Sequence, residues 1–182
     1  MNRYEPLRHR TIALVGLMGV GKSSIGRRLA HALDLPFRDA DTEIEAAAGC
    51  SIADIFERLG EPAFREGERR VIARLLDDPP HVLATGGGAF MNPDTRALIK
   101  ARTISIWLTA DIDVLVRRVS RKDNRPLLTG KDPESVLRAQ AAERGPIYAL
   151  ADFSVETGET AHQVAVEAIL AALNAHLQEQ PS

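Results

Sequence analysis

Short apolar runs alternate along this chain with longer stretches in which apolar residues recur every three or four positions. The short runs have the length of buried strands and lie at 11–15, 36–41, 81–84, 103–108 and 153–155. The longer stretches predict helices at 22–33, from Ser51, from Glu61, and near 93–101, 111–119, 133–149 and 160–177. Strands that alternate with helices predict βαβ units. We therefore expect an α/β fold, with three layers (α/β/α) built on a five-stranded parallel sheet.

The composition is that of one globular domain, expected to span 1–182. Of the 182 residues, 45% are hydrophobic and 26% are charged, which is enough to bury one sizeable core. The formal net charge of −2 and the 4% of aromatic residues argue against nucleic-acid and membrane partners. Because Cys50 is the single cysteine, no intrachain disulfide can form, and a reducing compartment is favoured. These features predict a cytoplasmic protein, and we expect a monomer.

The strongest chemical signal follows the first strand. The segment Gly16-Leu-Met-Gly-Val-Gly21-Lys22-Ser23 matches G-x-x-x-x-G-K-[ST], between a predicted strand and a predicted helix. Glycines let backbone N–H groups wrap a phosphate chain, Lys22 would reach the β and γ phosphates, and the Ser23 hydroxyl would ligate Mg²⁺. The alternative is an accidental glycine-rich turn, which this context disfavours. The predicted nucleotide-binding residues are Gly19, Val20, Gly21, Lys22, Ser23 and Ser24.

The motif alone leaves the phosphate chemistry open. The Asn-Lys-x-Asp segment with which regulatory GTPases bind guanine is absent, and the chain is small for a helicase or motor. A small nucleotide-using kinase remains, in which Mg²⁺ and cations neutralise the migrating phosphoryl group. The five histidines show no catalytic grouping.

Further short motifs follow the phosphate loop in a specific order. They are Asp39-Ala-Asp41, Phe64-Arg65-x-x-Glu68, Thr85-Gly86-Gly87-Gly88, Asn124-Arg125-Pro126-Leu127-Leu128 and Glu143-Arg144-x-Pro146-x-Tyr148. Together they closely resemble the shikimate kinase family over about 10–175, the expected core. The resemblance implies a phosphate-loop kinase with strand order 2-3-1-4-5. It also implies Mg²⁺-dependent transfer of the ATP γ-phosphoryl group to the 3-hydroxyl of shikimate, in the chorismate and aromatic amino acid pathway.

The resemblance also suggests roles for the two aspartates. Both are expected at the carboxyl end of the second strand, where open α/β sheets bind ligands. By resemblance, Asp41 binds the substrate hydroxyls and orients or deprotonates the attacking one, and Asp39 lies near the hydrated Mg²⁺. The alternative is that these acids cap a helix that begins near Thr42.

The resemblance places the substrate carboxylate between Arg65 and Arg144, and arginine suits this role because its planar fork binds a carboxylate bidentately. The alternative is that these arginines are exposed helix charges paired with Glu61, Glu68 or Glu143. The glycines after the third strand, Gly86, Gly87 and Gly88, let the backbone approach the substrate by resemblance, whereas a simple flexible turn is the other possibility.

The irregular stretch 120–132 corresponds by resemblance to the family's mobile lid, whose Arg125 reaches the γ-phosphate on closure. Arg118 resembles the residue that packs on adenine. Either arginine could instead be an ordinary surface charge. Two other functions remain open: another small-molecule kinase, such as a gluconate kinase, and a non-catalytic nucleotide-binding module.

Overall fold

The computed structural model describes residues 4–121 and 130–179, which form one five-stranded parallel sheet. The strands are β1 (Thr11–Val15), β2 (Phe37–Asp39), β3 (Val82–Ala84), β4 (Thr103–Thr109) and β5 (Phe153–Glu156). Their order is β2-β3-β1-β4-β5, and every pair is parallel. The sheet and the strand order implied by the resemblance are therefore confirmed. All of β1 is buried, as expected for the central strand of such a sheet.

Seven α-helices lie in the described part of the chain and cover both faces of the sheet. They are α1 (Lys22–Leu33), α2 (Ala40–Ala48), α3 (Ile52–Asp77), α4 (Pro93–Arg102), α5 (Ile112–Ser120), α6 (Pro133–Tyr148) and α7 (His162–Glu179). Helix α1 packs against α7, and α3 packs against α4. Two short 3₁₀ helices, Glu5–His9 and Ala89–Met91, complete the described elements. Within these residues, no helix combines the length and the apolar character needed to cross a membrane.

The second strand is shorter than predicted. It ends at Asp39, because Oδ1 of Asp39 accepts hydrogen bonds from the N–H groups of Asp41 (3.0 Å) and Thr42 (3.3 Å) and so caps α2. The prediction that both aspartates end a strand is wrong for Asp41, which lies in the first turn of α2. The alternative of a helix cap is confirmed for Asp39.

The helices predicted from Ser51 and Glu61 are both present, and they meet at a kink within α3. The Ser51 hydroxyl accepts a hydrogen bond from the Asp54 N–H (3.1 Å) and caps the start of α3. Gly60 then adopts a left-handed φ of 82°, which breaks the helical path before Pro62. The second half of α3 carries Arg65, whose guanidinium lies against Gly88 in the turn after β3.

Candidate active site

The phosphate loop (16–23) joins β1 to α1 and adopts backbone angles that favour glycine. Gly16, Gly19 and Gly21 have φ values of 145°, 82° and 102°. A Cβ atom at Gly16 would also lie 2.6 Å from the Leu108 carbonyl oxygen. Gly21 precedes α1 and offers no capping side chain, so the helix begins without a side-chain cap. Uncapped N–H groups and the positive end of the helix dipole together form an anion-binding site.

Lys22 and Ser23 lie at the start of α1, beside this loop. The Lys22 ammonium donates to the carbonyl oxygens of Gly16 (2.7 Å) and Leu17 (3.0 Å). The Ser23 hydroxyl donates to Oδ2 of Asp39 at 2.5 Å, which joins the start of α1 to the end of β2. A hydroxyl and a carboxylate are the hard oxygen donors that Mg²⁺ prefers, and Mg²⁺ takes its other ligands from water and phosphate. This donor pair therefore fits the predicted metal.

The glycine turn (86–88) after β3 brings together side chains from two other elements. A Cβ atom at Gly86 would lie 2.9 Å from Oε2 of Glu68 and 3.1 Å from Oδ1 of Asp41. A Cβ atom at Gly88 would lie 2.4 Å from Nη2 of Arg65. Side chains from α2 and α3 thus occupy space that any larger residue in the turn would fill, and this explains the need for glycine here.

The middle of the glycine turn faces α6 and the phosphate loop. A Cβ atom at Gly87 would lie 3.4 Å from Nη1 of Arg144 and 3.6 Å from the backbone nitrogen of Met18. The Tyr148 hydroxyl donates to the Gly87 carbonyl oxygen. Burial raises the pKa of Tyr148, with Arg144 opposing the shift, so the hydroxyl stays protonated as a donor. The turn therefore lies between the phosphate loop and the two arginines that the resemblance assigns to a carboxylate.

Arg65 is held at this turn by two glutamates. It donates from Nη1 to Oε1 of Glu68 at 2.9 Å and from Nη2 to Oε1 of Glu61 at 3.3 Å. These are the pairings of the alternative interpretation, yet they hold the guanidinium against Gly88 rather than out in solvent. Glu68 is 2% exposed, and within the described residues its Oε2 has no hydrogen-bond partner. Burial raises the pKa of Glu68, while Arg65 opposes the shift.

Most of the predicted residues line one cleft of about 460 Å³, a volume typical of small-molecule sites. The predicted residues that line it are Gly19, Gly21, Lys22, Ser23, Ser24, Asp39, Asp41, Gly86, Gly87 and Arg118. The lining does not include Val20, Arg65, Gly88 or Arg144. Gly88 nevertheless belongs to the glycine turn, and both arginines lie against that turn. The part of the expected lid at 122–129, which includes Arg125, lies outside the described residues.

The structure adds residues that the sequence analysis did not assign. Arg121 and His162 line the same cleft, and His162 Nε2 lies 3.8 Å from the Cβ position of Gly21. Burial lowers the pKa of His162, and the positive charges of Arg118 and Arg28 lower it further. No local pattern marks His162, because it reaches the cleft only through the packing of α7 beside α1.

The parallel sheet and its phosphate loop define a phosphate-loop protein of the α/β class. A family profile described as shikimate kinase matches residues 18–174. A shikimate kinase of Caulobacter vibrioides is 71% identical over 168 residues, covering 92% of this chain and 84% of the relative. One of Bradyrhizobium diazoefficiens is 58% identical, covering 92% and 81% respectively. The chain belongs to the shikimate kinase family, so the predicted ATP-dependent kinase, with ATP as co-substrate and Mg²⁺, is confirmed.

Solved structures agree with this assignment. The shikimate kinase of Acinetobacter baumannii in complex with shikimate has a TM-score of 0.90 at 37% identity, covering 94% of this chain and 97% of that one. The Aquifex aeolicus shikimate kinase has a TM-score of 0.80 at 33% identity, covering 91% and 96%. A gluconokinase from Sinorhizobium meliloti has a TM-score of 0.53 at 20% identity, covering 96% and 99%, and this likeness shows the fold alone.

Proposed function

We propose that this protein transfers the γ-phosphoryl group of ATP to the 3-hydroxyl of shikimate, giving shikimate 3-phosphate. The observation that carries the proposal is the glycine turn, where Asp41, Arg65 and Arg144 meet beside the phosphate loop. An acceptor bound there can present a carboxylate to the arginines and a hydroxyl to Asp41, within reach of a phosphate chain.

The phosphate half of the site consists of the loop, Lys22, Ser23 and Asp39. The loop N–H groups bind the β and γ phosphates, and Lys22 exchanges its carbonyl partners for phosphate oxygens. Ser23 and Asp39 would hold Mg²⁺. When bound, Mg²⁺ neutralises charge on the transferred phosphoryl group.

The acceptor half consists of Asp41, the arginines and the glycine turn. Asp41 lies in the first turn of α2, with its carboxylate beside Gly86. It accepts the hydrogen bond of the attacking hydroxyl and so orients that oxygen toward the γ-phosphate. Arg65 and Arg144 bind the carboxylate through charge-assisted hydrogen bonds, and the turn 86–88 supplies backbone contacts.

Two proposed nucleotide contacts rest on the family resemblance. Arg125, in a lid at about 120–132, approaches the γ-phosphate on closure and helps to exclude water. Arg118 packs on adenine, and its place in the lining of the cleft supports this role.

We further propose that the chain acts as one domain over 1–182 and as a monomer in the cytoplasm. Its partner is a small molecule rather than a nucleic acid or a membrane. The near-neutral net charge of −2 supports the assignment of a small-molecule partner.

A coupled assay of ATP consumption tests the proposal, with shikimate, gluconate and nucleoside monophosphates as acceptors. We expect turnover with shikimate and little with the others. Shikimate methyl ester should have a much higher KM than shikimate, because it lacks the charge that the arginines bind. Arg65→Ala and Arg144→Ala should each reduce this ester penalty. Faster turnover of gluconate, or an ester penalty unchanged in both variants, would contradict the proposal.

A further inference from the structure

The Arg118 side chain holds two carbonyl groups on the outer side of the phosphate loop. Nη1 of Arg118, on α5, donates to the carbonyl oxygens of Gly19 (3.2 Å) and Val20 (3.3 Å). Arg118 is separated from Gly19 by 99 positions along the chain, so the contact is formed by the tertiary structure. These carbonyls belong to the peptide units whose nitrogens are those of Val20 and Gly21.

Peptide geometry transmits this contact to the ligand side of the loop. In a trans peptide the C=O and the following N–H lie in one plane and point in opposite directions. Holding the oxygens of Gly19 and Val20 toward Arg118 therefore directs the N–H groups of Val20 and Gly21 away from it. The Val20 N–H donates to the Leu17 oxygen at 3.4 Å, a long bond that a phosphate oxygen can replace.

The same guanidinium also ties the loop to the turn after β5. Its Nη2 donates to the Gly158 carbonyl oxygen at 2.7 Å. Next to this bond, the buried Thr157 hydroxyl lies 3.2 Å from the Val20 oxygen and 3.1 Å from the Thr109 oxygen. Arg118 thus bridges two backbone segments, and its position is set from both sides.

We infer that Arg118 is a positioning residue for the phosphate loop, which orients the Val20 and Gly21 N–H groups before a phosphate chain binds. The inference rests on the proposed phosphate site and adds a role to the adenine contact. The two roles use different parts of the side chain, because in-plane hydrogen bonds occupy the guanidinium edges and leave its faces open to a base. A ligand with phosphates but no base separates them.

Inorganic tripolyphosphate with Mg²⁺ is a ligand that has phosphates but no base. Isothermal titration calorimetry measures its Kd and, in parallel, the Kd of ATP. Arg118→Met keeps an apolar stem and removes every donor. We expect it to weaken tripolyphosphate binding about tenfold or more, the factor for losing one to two hydrogen bonds. ATP binding should weaken by at least the same factor. A tripolyphosphate Kd within twofold of wild type would overturn the inference and leave Arg118 as a base contact.

Two further variants separate positioning from net charge. Arg118→Lys keeps the positive charge but lacks the fork that spans the loop and Gly158, so tripolyphosphate binding should stay at least fivefold weaker than wild type. Full recovery in Arg118→Lys would show that charge alone matters and would also overturn the inference. Arg117→Gln is the matched control, because the exposed Arg117 on the same helix pairs with Glu159 and not with the loop. Its Kd should equal that of wild type.

Thermal unfolding checks that each variant is folded, and if Arg118→Met is not, Arg118→Lys alone decides the outcome by the fivefold criterion. The readout involves neither shikimate nor turnover. Failure of the wild-type protein to phosphorylate shikimate would therefore remove the proposed function while leaving the tripolyphosphate comparison valid.

Discussion

Replacing Gly88 by alanine should displace Arg65 without disturbing the backbone. Gly88 has a φ of −96° and a ψ of −5°, which alanine adopts readily. The new Cβ would lie 2.4 Å from Nη2 and 2.6 Å from Cζ of Arg65. Non-bonded heavy atoms pack at about 3.5–4.0 Å, so the guanidinium must withdraw by about 1 Å.

The consequence should fall on substrate binding rather than on folding. Arg65 is a long side chain that can move, so we expect the free energy of unfolding to fall by about 1 kcal/mol or less. A charge-assisted hydrogen bond contributes about 1.5–3 kcal/mol and needs good alignment. Loss of the Arg65 contact should therefore raise the KM for shikimate about 10- to 100-fold and leave the KM for ATP unchanged.

Steady-state kinetics with each substrate varied in turn, together with thermal unfolding, would measure this. Gly67→Ala is the matched control, because it lies in the same helix as Arg65 and its Cβ would meet nothing within 4 Å. This control should keep both KM values and match or slightly exceed the wild-type stability. A folded Gly88→Ala protein whose KM for shikimate stays within twofold of wild type would refute the reasoning, and an equal rise in both KM values would indicate wider damage to the site.

Three further predictions concern charged groups of the site. Lys22→Ala should remain folded and lose about 100-fold or more in kcat, since it removes a cation that stabilises the phosphoryl group in flight; near-normal turnover would refute its role. Asp41→Asn should lower kcat on the order of 100-fold, whereas wild-type activity would leave Asp41 with a structural role only. Burial raises the pKa of Glu68 above its ordinary value of 4.5, so the folded state binds this proton more tightly than the unfolded state. The wild type should therefore lose stability relative to Glu68→Gln as the pH rises above about 4.5. Urea unfolding of both proteins at acidic and neutral pH measures this difference, and an opposite trend or a constant difference would contradict the prediction.

The local sequence was sufficient to predict the phosphate loop and most of the elements around it. Glycine spacing reports directly on a backbone that must take left-handed angles, as at Gly19 and Gly21. Apolar periodicity likewise indicates whether a segment buries one face or both. For this reason β1 and α1 have the bounds that the pattern predicts. The boundary after β2 was misplaced because apolar pattern does not reveal that Asp39 will cap a helix. The strand order came from the family resemblance, since no local pattern encodes which strands are neighbours.

The contacts that make the site were decided by the tertiary structure. Arg65 and Arg144 each look like ordinary helix charges in the sequence, and only the packing of α3 and α6 brings both to the glycine turn. Arg118 meets Gly19 from a helix far along the chain, and His162 enters the cleft from α7. Periodicity shows which face of a segment is buried. It does not show which distant segment packs against that face. That choice is made by the packing of whole helices on the sheet, which positions each side chain only after the core has formed.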